Sequence, residues 1–138
     1  MINHVTLWVK DIEKSRRFYK SALAPLGYEL LTDSEPKWIG FGQKNVKGGR
    51  DFWLKEGKVS GQSISCFAFT AENKQQVVEF YDEAMKAGGR ENGPPGYRPK
   101  YYEGYYAAFV LDPDGYNIEV IWDDLEKGTK LGQNWGEL

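Results

Sequence analysis

The chain has 138 residues, 41% of them hydrophobic, and a formal net charge of −2. That is enough apolar material for one globular domain with a real core, and the near-balanced charge leaves no electrostatic footprint for nucleic acid. The lone cysteine, Cys66, excludes an internal disulfide framework and fits a reducing compartment; no apolar run reaches the roughly 20 residues of a membrane span and no signal-peptide pattern is present, so the expectation is a soluble cytoplasmic domain.

In chain order, the first element is an alternating strand. Val5, Leu7 and Val9 point one way and His4, Thr6 and Trp8 the other. Asp11 follows as an N-cap, its carboxylate free to accept the orphan amide protons of a helix. Ile12, Phe18, Ala22 and Leu23 give that helix a partial apolar stripe, and Pro25 with Gly27 ends it. The stretches "GYELLT", "PKWIGFGQ" and "RDFWLKEG" read as three further strands. A second alternating strand opens at Cys66, with Phe67, Phe69 and Ala71 opposed to Cys66, Ala68 and Thr70. Asn73 caps a second helix, with Gln76 at capping-box spacing. Its stripe is Val77, Phe80, Tyr81 and Ala84, and Gly88-Gly89 ends it. "ENGPPGYRPKYYEG" reads as a Pro/Gly-rich loop with a short edge strand near Arg98 to Tyr101. "YYAAFVL" and "YNIEVIW" flank "DPDG", in which Pro113 suits the second position of a tight turn and Gly115 tolerates positive φ. That is a hairpin. The tail 125–138 has little periodicity.

The order β-α-β-β-β therefore occurs twice, and the sequence supports a duplication. His4 and Cys66 are 62 residues apart, and at that offset Asp11 meets Asn73, Phe18-Tyr19 meets Phe80-Tyr81, Ala22 meets Ala84 and Gly27 meets Gly89. A period this long, present twice, is a pair of modules rather than a solenoid. Module one is expected at about 1–58 and module two at about 62–124.

"HVTLWVKDIEKSRRFYKSALAPLGYEL" and "GYYAAFVLDPDGYNIEVIW" resemble the vicinal oxygen chelate superfamily, which includes glyoxalase I, extradiol dioxygenases, fosfomycin-resistance enzymes and bleomycin-binding proteins. The resemblance runs from about Ile2 to Trp122. It implies an α+β fold of two tandem βαβββ modules forming a U-shaped sheet around a cavity, with helices on the convex face. In metal-dependent members, side chains from the first and last strands of each module hold a divalent ion that acts as a Lewis acid. Other members bind a ligand without metal or chemistry, so the fold leaves function open.

Carried over position by position, the resemblance points to His4, Trp53, Cys66 and Glu119. His4 and Glu119 are conventional ligands, Cys66 suits zinc, and Trp53 is no ligand. Each has a plainer reading: a packed histidine, a solvent-facing carboxylate, and a cysteine acting as a small hydrophobe. With no second histidine, the iron site of extradiol dioxygenases is disfavoured. The implied metal set is His4, Cys66 and Glu119, holding one divalent ion (zinc, nickel or manganese) or none. Glu119 is the candidate catalytic residue. Strand alternation puts Thr6, Trp8, Trp53 and Thr70 on the cavity side, and Lys100 and Tyr102, beside Tyr101, at its mouth.

The expected function is small-molecule binding in the cavity, as a metal-dependent lyase or isomerase with a non-standard site. The alternatives are a metal-free binding protein of the bleomycin-resistance type, or a pseudo-enzyme whose cavity is packed shut by Trp8 and Trp53. The expected partners are a small-molecule ligand and a second copy of the chain in a homodimer, with no nucleic acid and no membrane.

Overall fold

The structure, a computed structural model, describes residues 2–35, 38–59 and 65–127. Module one runs β1 (Val5–Val9), α1 (Ile12–Leu23), a 3₁₀ turn (Ala24–Leu26), β2 (Tyr28–Glu35), β3 (Trp38–Gln43) and β4 (Arg50–Glu56). Module two runs β5 (Cys66–Thr70), α2 (Lys74–Lys86), β6 (Arg90–Tyr97), β7 (Tyr105–Leu111) and β8 (Asn117–Asp123). Each module forms its own four-stranded mixed sheet, in the orders β1-β4-β3-β2 and β5-β8-β7-β6. In both, the first strand lies parallel to the last, because the intervening helix carries the chain across one face. The register preserves the duplication, with Thr6 beside Trp53 and Ala68 beside Glu119. The tail from 128 onward lies outside the described residues, as do Pro36-Lys37 and the junction at 60–64. Among the described residues no helix is long and apolar enough to cross a membrane.

The caps form as their residue types demand. The Asp11 carboxylate accepts from the Lys14 amide at 3.0 Å, and the Asn73 side chain accepts from the Gln76 amide at 2.9 Å. Gln76 reaches back one residue further than the capping box requires, accepting from the Glu72 amide at 2.8 Å. Gly27 closes the 3₁₀ turn at φ 78°, a backbone state that favours glycine.

One core serves both modules. Leu7 and Val9, Ile39 and Phe41, and Phe52 and Leu54 of sheet one meet Phe18, Tyr19 and Leu23 of α1. Val110, Ile118 and Val120 of sheet two meet Val77 and Phe80 of α2. Phe69 of β5 stacks edge-on against Phe52 and Tyr28, joining the halves. Each fully buried aromatic or aliphatic side chain here stabilises by roughly 1.5–3 kcal/mol.

The segment expected to be a loop with a strand near Arg98 to Tyr101 is instead β6, and it contains "ENGPPGY" itself. An edge strand tolerates Pro94 and Pro95 because one side of its backbone needs no partner. Pairing with β7 slips twice, between Glu91 and Gly93 and between Gly93 and Gly96, which absorbs the prolines as bulges. The residues from Pro99 to Gly104 form the turn after it.

The "DPDG" turn forms, with the Gly115 amide donating to the Asp112 carbonyl at 3.0 Å and Gly115 at φ 90°. The turn is also stapled to module one. Buried Asp112 accepts from the Tyr19 hydroxyl of α1 and from the Asp114 and Tyr116 amides at 2.9 Å each. Asp114 accepts from the Lys10 amide at 3.0 Å, and the Tyr116 hydroxyl donates to the Trp8 carbonyl at 2.8 Å.

Candidate functional site

The turn sets the register of the hairpin above it. Leu111 lies opposite Asn117, so Phe109 falls opposite Glu119 and Tyr105 opposite Asp123. Even positions of β8 enter the core, and Asn117, Glu119, Ile121 and Asp123 project from the open face. Glu119 sits at the centre of that face, between Ala68 of β5 and Phe109 of β7, and is only 6% exposed.

Two donors hold the Glu119 carboxylate. The Tyr105 hydroxyl donates to Oε1, and the Cys66 thiol donates to Oε2 at 3.7 Å. Burial pushes the Glu119 carboxyl above the usual carboxylate range, while these two hydrogen bonds and the Arg98 charge pull against it. Desolvation, with the Glu119 charge beside it, pushes the Cys66 thiol up to about 11. At neutral pH Cys66 is therefore a protonated donor and not a nucleophilic thiolate. Tyr105 and Tyr102 are raised by burial first and then by the carboxylates they donate to, Glu119 and Asp123.

Above this floor lies a cavity of about 620 Å³, walled by Tyr101, Tyr102, Tyr105 and Phe109. Tyr105 stands between the other two tyrosines, its ring centroid 4.9 Å from each, tilted to Tyr101 and edge-on to Tyr102. A second groove of about 660 Å³ adjoins it, with Cys66 and Ala68 on both. His4, Thr70, Tyr28 and Asp51 line that groove.

The sequence-derived site residues thus divide. Glu119, Cys66 and Tyr102 come together in the tyrosine cavity, and Lys100 sits beside it with Nζ 5.1 Å from the Tyr101 ring. His4 and Thr70 line the adjoining groove. Thr6, Trp8 and Trp53 share the open face of module one. There the Lys55 ammonium lies between Trp8 and Trp38, 4.9 and 4.7 Å from their rings, and Trp38 leans on Trp53 at 5.8 Å. Gly40 is the seat for Trp53: a Cβ there would stand 2.8 Å from the indole ring.

Sequence reasoning missed Tyr105, Phe109 and Asp123. The signal was present, because a tight turn at 112–115 fixes which residues of "YYAAFVL" face Glu119. Alternation within "YYAAFVL" gives the strand, whereas its cross-strand partners follow only from the turn.

A divalent ion needs three or more donors gathered at one point. Cys66 and Glu119 supply two, with the Cys66 sulfur 3.7 Å from Glu119 Oε2. His4 is exposed, before the start of β1, with Nδ1 2.9 Å from the Asn3 side-chain oxygen. Among the described residues no group of three His, Cys, Asp or Glu side chains could hold a metal ion. As arranged among the described residues of one chain, the donor set falls short of what a resident ion needs.

The fold and the repeat define a protein of two tandem modules, each with its own four-stranded mixed sheet. The family model described as Glyoxalase/Bleomycin resistance protein/Dioxygenase superfamily matches residues 1–120, and the chain belongs to that superfamily. Among its relatives is a probable lactoylglutathione lyase of Vibrio parahaemolyticus, 29% identical, with 87% of this chain and 88% of that protein covered. A glyoxalase/bleomycin resistance protein from Albidiferax ferrireducens shares the fold with a TM-score of 0.72 at 24% identity, over 86% of this chain and 95% of that one. The fold also matches the fosfomycin resistance protein FosX of Listeria monocytogenes, solved as an E126Q mutant with Mn(II) and 1S,2S-dihydroxypropylphosphonic acid. There the TM-score is 0.65 at 20% identity, over 88% of each chain. Members of the superfamily typically use a divalent metal and act on small molecules.

Proposed function

We propose that the chain binds a small organic molecule in the tyrosine cavity of module two, with Glu119 as the group that engages it. The observation that carries this is the buried Glu119 carboxylate at the centre of the cavity floor, fixed by Tyr105 and Cys66 and roofed by aromatic rings. A carboxylate on a mostly apolar strand is costly to bury unless it is hydrogen-bonded, and here two donors aim it into a space large enough for a ligand. Each Glu119 oxygen retains a lone pair, so the carboxylate can accept from a ligand or take a proton from one. The test is a ligand screen by thermal shift, repeated on Glu119→Gln. Hits that stabilise the wild-type chain and lose at least about tenfold in affinity in the variant support the reading. Hits unaffected by Glu119→Gln and by Tyr105→Phe would place binding elsewhere.

A second reading is a metal-dependent lyase or isomerase, favoured by the 3.7 Å approach of Cys66 Sγ to Glu119 Oε2 and by the activity in the name of the Vibrio relative. In that reading zinc, nickel or manganese draws on Glu119 and Cys66, and His4 comes from a second copy of the chain in a homodimer. The bound ion would supply Lewis acidity to a substrate oxygen. Elemental analysis of chelator-free protein decides it. Stoichiometric metal, lost in both His4→Ala and Glu119→Ala, supports this reading, and no metal uptake after addition of all three ions sinks it.

A further inference from the structure

The proton inventory of the tyrosine cavity specifies what can enter it. Tyr105 gives its only hydroxyl proton to Glu119, and Tyr102 gives its own to Asp123. Cys66 gives its thiol proton to Glu119. The Asn117 side-chain oxygen accepts from Asn92 at 3.0 Å. What the floor turns toward a ligand is therefore a set of acceptors: two carboxylates and two phenol oxygens whose protons are committed. The donors that remain, the Tyr101 hydroxyl and the Asn117 amide, belong to single residues of the lining.

The walls have the same preference. Aromatic ring faces attract cations, and a cation over them gains more once water is excluded. Two cations already use neighbouring rings: Lys100 Nζ lies 5.1 Å from the Tyr101 ring, and the Arg98 guanidinium lies 5.7 Å from the Phe109 ring. Arg98 is tethered to the Pro94 carbonyl at 2.5 Å, and neither it nor Lys100 lines the cavity. Among the described residues that do line it, the ionisable charges are the carboxylates Glu119 and Asp123, with no Lys, Arg or His. An anion there would face two carboxylates, with the Tyr101 hydroxyl, the Asn117 amide and the Arg98 charge outside the lining to offset them, whereas a cation would meet charge, acceptors and ring faces together.

We propose that this cavity takes an organic cation, a substituted ammonium or protonated amine on a compact apolar body. This rests on the small-molecule reading above and names the ligand class. Four probes of one shape test it: benzyltrimethylammonium, benzylammonium, benzyl alcohol and benzoate, each titrated into the full chain at neutral pH by calorimetry and by proton NMR of the tyrosine rings. The expected result is that both cations bind at least about tenfold more tightly than the alcohol and the benzoate, shifting the Tyr101, Tyr102 and Tyr105 resonances. Glu119→Gln should remove most of that preference, and Tyr101→Ala should weaken the trimethylammonium probe more than the alcohol. Should Glu119→Gln fail to fold, Asp123→Asn reads the same charge term from the other carboxylate. Equal or tighter binding of benzyl alcohol or benzoate, still lost in Glu119→Gln, overturns the cation and leaves the small-molecule reading standing. Binding by none of the four overturns the cation, and the small-molecule reading then stands or falls on the ligand screen with wild type and Glu119→Gln.

Discussion

The open faces of the two modules occupy equivalent places in the repeat and differ in kind. In module one the cross-strand pair at the centre is Gly40 and Trp53, and in module two it is Phe109 and Glu119. The bulky residue has changed strands. In module one the indole lies over the glycine and fills the face. In module two the large ring stands on the neighbouring strand, leaving its partner's place to a carboxylate. Polar pairing follows the same split. Module two anchors four tyrosine hydroxyls on its carboxylates Asp112, Asp123, Glu119 and Asp124, while module one holds Tyr28 on Asp51. Among the described residues, a shared backbone frame thus carries an indole-covered face in module one and a carboxylate-floored cavity in module two.

The largest way to break this comparison is at the hairpin turn. Asp112→Ala leaves the Tyr19 hydroxyl and two turn amides without their acceptor and should cost about 2–4 kcal/mol in urea unfolding. Tyr81→Phe, at the repeat-equivalent of Tyr19 but half-buried, should change stability by less than about 0.5 kcal/mol. Equal effects would mean that the turn is not where the modules are locked together. Next in size, Gly40→Ala drives a methyl into the Trp53 ring and should cost about 1–3 kcal/mol, with a change in near-UV circular dichroism. An unchanged spectrum would show that the indole is not seated as described.

Smaller effects sharpen the polar side. Tyr105→Phe removes a donor that favours the Glu119 carboxylate, so the carboxyl should titrate at higher pH by carbon NMR; a downward move would contradict the hydrogen-bond assignment. Asp124 is held below the usual carboxylate range chiefly by the Tyr97 hydroxyl. Its contribution is therefore present above the unfolded carboxylate value of about 3.9 and is lost as pH falls through the lower folded value. Melting curves of Asp124→Asn against wild type should differ above about pH 4, the unfolded carboxylate value, and draw together as pH falls through the lower folded value. Smallest, Trp53→Ala should alter ligand affinity in the tyrosine cavity by less than about threefold. A larger loss would bring the module-one face, from the same chain or another, over the ligand.

Much of the fold was legible because its signals are local. Strand alternation, the Asp11 and Asn73 caps and the "DPDG" turn are each written in a few adjacent residues. The repeat then tied Trp53 to Glu119 through equivalent strands, and the register agrees. What was not legible depends on contacts across sequence. Strand β6 was hidden because two prolines argue against a strand unless it lies at an edge and bulges, and edge position is a property of the sheet. The commitment of the Tyr105 and Cys66 protons to Glu119 needs the side chains' reach, which alternation does not give. His4 shows the limit from the other side: its place in the repeat was right, but its position at the lip of the adjoining groove comes from where β1 begins.

The staple between the hairpin turn and module one has a consequence for the repeat. Here the buried acid of one half is satisfied by the phenol of the other, and the Tyr116 hydroxyl closes on the Trp8 carbonyl. The turn that sets the register around Glu119 thus draws its partners from the opposite half. The two halves are therefore not interchangeable as they stand, and the register around Glu119 depends on residues of both.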